Sequence, residues 1–192
     1  MPLGVVAGLH HLAHALWPSI GVLYLSHRYG WGPYEVGLVL ALLGLSGALM
    51  QGVLIGPIVR SIGPRRALLV GLTAGAIAFA IQGLAATPVL YFLSVPFVAF
   101  WGLTGPSVFQ LSSARVDADR QGALQGADAT LIGLGNLAGP LMFSQSLAWA
   151  IAPNTAVPMP GLPLFIAAGF MTAAVMVVLA TIPTAGGADG KQ

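Results

Sequence analysis

Apolar runs long enough to cross a bilayer alternate with short polar or Pro/Gly breaks along nearly the whole chain. About 20 residues are needed for each crossing, since ~30 Å of hydrocarbon is covered at ~1.5 Å per residue. Six runs meet that length, over residues 3–25, 34–59, 65–86, 89–112, 121–150 and 162–182. The pattern predicts an all-α polytopic membrane protein, with one six-helix transmembrane domain over residues 1–182 and a polar, disordered tail at 183–192. Pro33, Pro64, Pro88 and Pro163 stand where helices should begin, positions at which a missing amide costs no intrahelical bond. Pro18, Pro96, Pro106 and Pro140 fall inside the runs, where they should kink the helix and free carbonyls. With Gly102 and Gly105 beside it, Pro106 makes the fourth run the expected flexing element.

Composition agrees with a lipid solvent. Hydrophobic residues make up 57% of the 192 and charged residues 6%, and mean hydropathy is +0.89, far from the soluble balance. The net charge of +2 rests on only seven basic residues, so nucleic acid is excluded as a partner. Cysteine is absent, which removes disulfides and thiolate metal sites. The first run is too long for a signal-peptide core and has no basic flank before it, so it should remain in the protein. Arg60, Arg65 and Arg66 share one inter-run loop, Arg115 and Arg120 another on the same side, and Lys191 lies in the tail; Arg28 is alone opposite. That bias predicts cytoplasmic N- and C-termini in the cell membrane. Tyr24, Trp31, Tyr34, Tyr91 and Trp149 then gather toward the outer boundary.

The segment Gly56-Pro57-Ile58-Val59-Arg60-Ser61-Ile62-Gly63-Pro64-Arg65-Arg66 resembles the short glycine-turn-basic loop between the second and third helices of each half of major facilitator transporters. Gly63 suits the positive φ of a tight reversal, and Arg65 and Arg66 suit lipid phosphates or the last carbonyls of nearby helices. Arg60 replaces the acidic residue usual there, which favours anchoring over a charge relay. The order of Ala13-His14-Ala15-Leu16-Trp17-Pro18-Ser19, Arg28-Tyr29-Gly30-Trp31, Gln51-Gly52, Gln121-Gly122-Ala123-Leu124-Gln125-Gly126 and Gly139-Pro140-Leu141 resembles the C-terminal half of tetracycline-type multidrug/proton antiporters over nearly the whole chain. Gly47 and Gly75 stand where classical tetracycline exporters carry an intramembrane histidine and aspartate. The resemblance implies secondary efflux of a drug-like small molecule coupled to protons. It also implies a homodimer or a complementing N-terminal six-helix half to close the cavity, and no cofactor. A truncated fragment is the other reading of the same length.

Polar groups in hydrocarbon need a partner or a cavity. Counting ~1.5 Å per residue inward from Tyr24 puts His14 near the midplane. His10 shares its helix face, and Trp17 should lie alongside. His14, Trp17, Gln51 and Asn136 are the candidate substrate-binding residues; His14, His10 and Asp128 are the candidates for proton coupling, with Asp128 expected near the inner interface. Each of these has a plainer reading as a packing residue hydrogen-bonded to a neighbouring helix. Gly52, Gly126, Gly133 and Gly135 should let helices approach beside the amides, and Ser46 should pack in a small-residue face with Gly44, Gly47 and Ala48. Gly56, Gly63, Arg65 and Arg66 form the candidate conformational loop, and Pro106, Gly139 and Pro140 the candidate hinges. No metal site is expected.

Two other classes compete. Gly44-Leu45-Ser46-Gly47 resembles the serine signature of rhomboid intramembrane proteases, but there the histidine base follows the serine, and every histidine here precedes Ser46. The chain is therefore not expected to be an enzyme. A non-transporting membrane scaffold would need the same six helices but would show no substrate-dependent proton flux.

Overall fold

The computed structural model describes residues 2–153 and 158–182 and contains no strand among them. The tail 183–192, with Lys191, lies outside the described residues. The first apolar run forms two helices, α1 (Pro2–His14) and α2 (Leu16–Tyr29), and the second forms α3 (Pro33–Leu49) and α4 (Ile55–Ile62), joined through a π-helical turn at Met50–Leu54. Helix α5 (Pro64–Leu84) is unbroken. The fourth run is in three pieces, α6 (Pro88–Phe92), α7 (Val95–Trp101) and α8 (Thr104–Ser113), and α9 (Gln121–Ala150) and α10 (Leu162–Thr181) complete a six-membered helical bundle.

Proline chemistry accounts for most of these boundaries. Pro33, Pro64, Pro88 and Pro163 each occupy the first or second position of a helix. Three of the internal prolines interrupt the helical hydrogen bonding over one or two residues, while the backbone stays in the right-handed helical region at Ala15, Ser94 and Leu103. A proline ring excludes the carbonyl four residues back, and four residues before Pro18 and Pro96 stand His14 and Phe92, the last residues of α1 and α6. Four before Pro106 is Gly102, the residue that closes α7. Pro140 differs: α9 runs through it continuously, so the Asn136 carbonyl has no amide four residues on. Gly30 (φ 67°) closes α2 and Gly63 (φ 80°) reverses the chain between α4 and α5. The Glu35 carboxylate accepts from the Gly32 amide at 2.9 Å to start α3.

Helix α10 lies between α5 and α1, α9 packs across both α1 and α2, and α7 and α8 pack on α5. The seam residues of α10, Leu164, Ala167, Met171, Ala174 and Val178, recur at alternating three- and four-residue steps and are all buried. Facing them, Leu68, Leu72 and Phe79 of α5 share a stripe with Gly71 and Gly75, a G-x-x-x-G pair. A Cβ on Gly71 would stand 2.6 Å from Thr104 Oγ1, and one on Gly75 2.7 Å from Trp101 Cδ1. Small residues thus admit α8 and α7 against α5.

The buried face of α9 is Gly135, Gly139, Phe143, Leu147 and Ala150. A Cβ on Gly135 would meet the His11 carbonyl at 3.1 Å, and one on Gly139 would collide with the Ala15 side chain. The other glycines expected at helix contacts, Gly44, Gly47, Gly52, Gly126 and Gly133, have open space where a Cβ would go. Gly44, Gly52, Gly126 and Gly133 are exposed and Gly47 is half-buried; the Pro33–Ile62 span is only 11% buried over its most apolar stretch, against 56% for α5.

By length and composition, Pro33–Ile62, Pro64–Leu84, Pro88–Ser113 and Leu162–Thr181 are each able to cross a membrane. The first run is divided at Ala15 into pieces of 13 and 14 residues, and α9 carries Gln125, Asp128, Asn136 and Gln145 among its apolar residues.

Candidate functional site

Helix α1 carries three histidines, of which His10 is buried, His11 half-buried and His14 exposed. The Nδ1 of His10 accepts from Trp101 Nε1 at 3.3 Å. The His14 ring is 6.1 Å from that of His10 and 5.3 Å from Trp101. Trp101 ends α7 and sits in the notch above Gly75, edge-on to Phe79 at 5.1 Å. A cavity of about 330 Å³ opens beside this group, lined by His10, His14, Gly47, Gln51, Trp101 and Pro106 among others. Gln51 reaches it from the π-helical turn, a local widening that offsets the helix register by one residue.

A second cavity, about 260 Å³, lies against the first and shares His10, Gly105 and Pro106 with it. On its wall His11 Nε2 meets Asp128 Oδ1 at 3.0 Å, joining α1 to α9. Asp128, expected near the inner interface, therefore has a histidine partner in His11. Among the described residues no group of three or more histidine, aspartate or glutamate side chains is placed to hold a metal ion.

Of the residues singled out by sequence, the structure brings His10, His14 and Gln51 to one cavity and Asp128 to its neighbour. Trp17 is elsewhere. It follows the break at Ala15, lies over Gly21 and meets Tyr91 edge-on at 6.3 Å. Asn136 is exposed on α9 beside Gly135. Pro106 lines both cavities, Gly139 is a close-packing contact with Ala15, and Pro140 is exposed. Two participants were not legible: Trp101, and His11 as the partner of Asp128. The glycine at 75 is the trace that Trp101 leaves in the sequence.

At the loop, Gly63 has the positive φ that the reversal demands. Arg65 Nε donates to the Ile182 carbonyl at 2.7 Å, closing the C-terminal end of α10, while Arg66 is exposed. Gly56 lies in α4 near the Arg60 guanidinium. At the opposite end Tyr24 donates to the Gln82 carbonyl at 2.8 Å, and Arg28 and Tyr29 donate to that of Ala85 at 3.1 and 3.0 Å, pinning α2 to the end of α5. Tyr29, Trp31, Tyr91 and Phe92 stack around that clasp. The Ser46 hydroxyl donates to the Leu43 carbonyl at 2.8 Å.

Residues 4–140 match the Major Facilitator Superfamily. This chain belongs to that superfamily. It is 37% identical over 135 residues to the class G tetracycline resistance protein of Vibrio anguillarum, a match covering 68% of this chain and 32% of the relative. It is 35% identical over 133 residues to the class C tetracycline resistance protein of Escherichia coli, covering 67% and 31%. The Hippocampus abundant transcript 1 protein of Homo sapiens is 30% identical over 135 residues, covering 70% and 28%. The chain thus spans about a third of the length of the curated relatives it matches. This major facilitator chain is a multi-pass membrane protein whose six-helix bundle is equivalent to one half of the major facilitator fold.

Proposed function

We propose that this major facilitator chain supplies one half of a secondary efflux transporter that exchanges protons for a drug-like organic molecule across the cell membrane, with both termini cytoplasmic. The observation that carries this reading is the shared wall of the two cavities: His10, Gly105 and Pro106 separate a chamber of rings and an amide from one holding a titratable pair. The first suits a flat, partly aromatic molecule, with Trp101 and His14 for stacking and Gln51 for a hydrogen bond. In the second, a proton on the His11–Asp128 pair makes it an ion pair tying α1 to α9, and its loss leaves a carboxylate facing a neutral ring and a weaker tie. Proton movement would thereby bias the packing of α9 on α1, next to the substrate chamber. Tetracyclines are the first cargo to test, since several relatives are tetracycline resistance proteins.

The opposite wall would come from a second six-helix unit, either a copy of this chain or a complementing N-terminal half. Leu38, Leu45 and Leu49 of α3 and Leu134, Leu137 and Leu141 of α9 are exposed, and a partner would cover them. Substrate, protons, lipid and that unit are the partners of this reading, which assigns no catalysis to the chain.

Vesicles holding the chain, alone and with a co-expressed complementing half, would be loaded with an acidic interior, and tetracycline uptake would be followed with a pH-sensitive dye. Asp128→Asn and His11→Gln should each reduce coupled flux at least tenfold, and His27→Gln should not. Drug-independent proton traces in every pairing would reject transport and leave a scaffold. Flux unchanged in both variants would reject the pair as the coupling site.

A further inference from the structure

Burial along α5 is one-sided. Ala67, Leu68, Gly71, Leu72 and Gly75 are buried, whereas Arg66, Val70, Thr73 and Ile77 are exposed and recur at four- and three-residue steps, forming one stripe along the helix. Phe97 and Phe100 of α7 rise beside the stripe, and the two helices enclose an open groove of about 430 Å³ in which Thr73 is the one polar side chain.

We propose that this groove seats an acyl chain of an anionic phospholipid whose phosphate is held by Arg66. Three observations point to that occupant. From Arg66 to Ile77 is about 16 Å of helix rise, and one leaflet of hydrocarbon is about 15 Å deep, so the stripe reaches from headgroup level to the midplane. The segment 55–66 carries Arg60, Arg65 and Arg66 and no acidic residue, an uncompensated positive charge beside the mouth of the groove. Within it the roles divide: Arg65 Nε is engaged by the Ile182 carbonyl, while Arg66 is exposed and makes no hydrogen bond or ion pair among the described residues. No side chain caps the start of α5, where Gly63 precedes Pro64, so the first-turn amides also favour an anion there. The site stands apart from the two cavities and does not rest on the transport reading.

The test is native mass spectrometry of the detergent-purified chain titrated with phosphatidylglycerol, phosphatidylcholine or glycerol phosphate. One phosphatidylglycerol should be retained in preference to phosphatidylcholine, and glycerol phosphate should not bind. Arg66→Gln should lower the lipid-bound fraction about fivefold, Arg66→Lys should largely restore it, and Thr73→Phe, which fills the groove, should lower it with the arginine intact. Equal retention of both lipids, or a bound fraction unmoved by Arg66→Gln and Thr73→Phe, would overturn the proposal. So would a lysine variant no better than glutamine, or a dimer that forms as lipid leaves, which would assign the groove to a second copy.

Discussion

Gly63 stands at φ 80° and ψ 155°, a region of backbone space that side chains oppose, and nothing lies within 4 Å of where a Cβ would be. Its cost to substitution is therefore conformational rather than steric. Gly63→Ala should destabilise the chain by about 1–3 kcal/mol, seen as a lower midpoint in thermal unfolding of the detergent-solubilised protein. It should also loosen the Arg65 bond to Ile182, because that bond depends on where the turn delivers α5. Gly75 is glycine for the opposite reason: its backbone is helical, and the room it leaves is filled by Trp101. The two would look alike in a composition table. They separate only when the neighbours are known, which is why the first was legible as a turn while the second was read merely as a missing carboxylate.

Among the elements, those whose cause is local could be read in advance. Proline's fixed φ and missing amide act within a few residues, so the starts at Pro33, Pro64, Pro88 and Pro163 needed no tertiary information. The same chemistry interrupts the helical hydrogen bonding near Pro18, Pro96 and Pro106, but whether a proline does so depends on what packs there, and Pro140 within continuous α9 shows the other outcome. The π-helical turn at Gln51 and the pairing of His11 with Asp128, 117 positions apart, leave no local pattern at all. The close approach of α7 to α5 lies between these cases, since Gly71 and Gly75 form a recognisable G-x-x-x-G pair but do not name their partner. Gly75→Leu should cost about 1–3 kcal/mol by overpacking. It should also shift the tryptophan emission maximum as Trp101 leaves His10, with helix content unchanged by circular dichroism.

At the scale of the whole molecule, burial is uneven in a way that six helices alone do not require. The Pro33–Ile62 span is 11% buried where α5 is 56%, and α9 is exposed along most of its length. Because the chain has no native cysteine, Leu45→Cys and Leu137→Cys report on these faces without background. Both should react with a lipid-soluble maleimide in the lone chain. With a second six-helix unit present they should be protected, and they should crosslink to cysteines on its facing helices. Unchanged reactivity on co-expression would show that these faces meet lipid only, and would remove the two-unit cavity.

Helix α9 is about 45 Å long, and it lies unbroken across the joint at Ala15 where α1 gives way to α2. It acts as a splint on a divided rod. With Gly139 bedded against Ala15, any swing of the histidine-bearing piece about that joint must appear as sliding along the splint, so a motion that begins as a bend in the first run is delivered elsewhere as a translation.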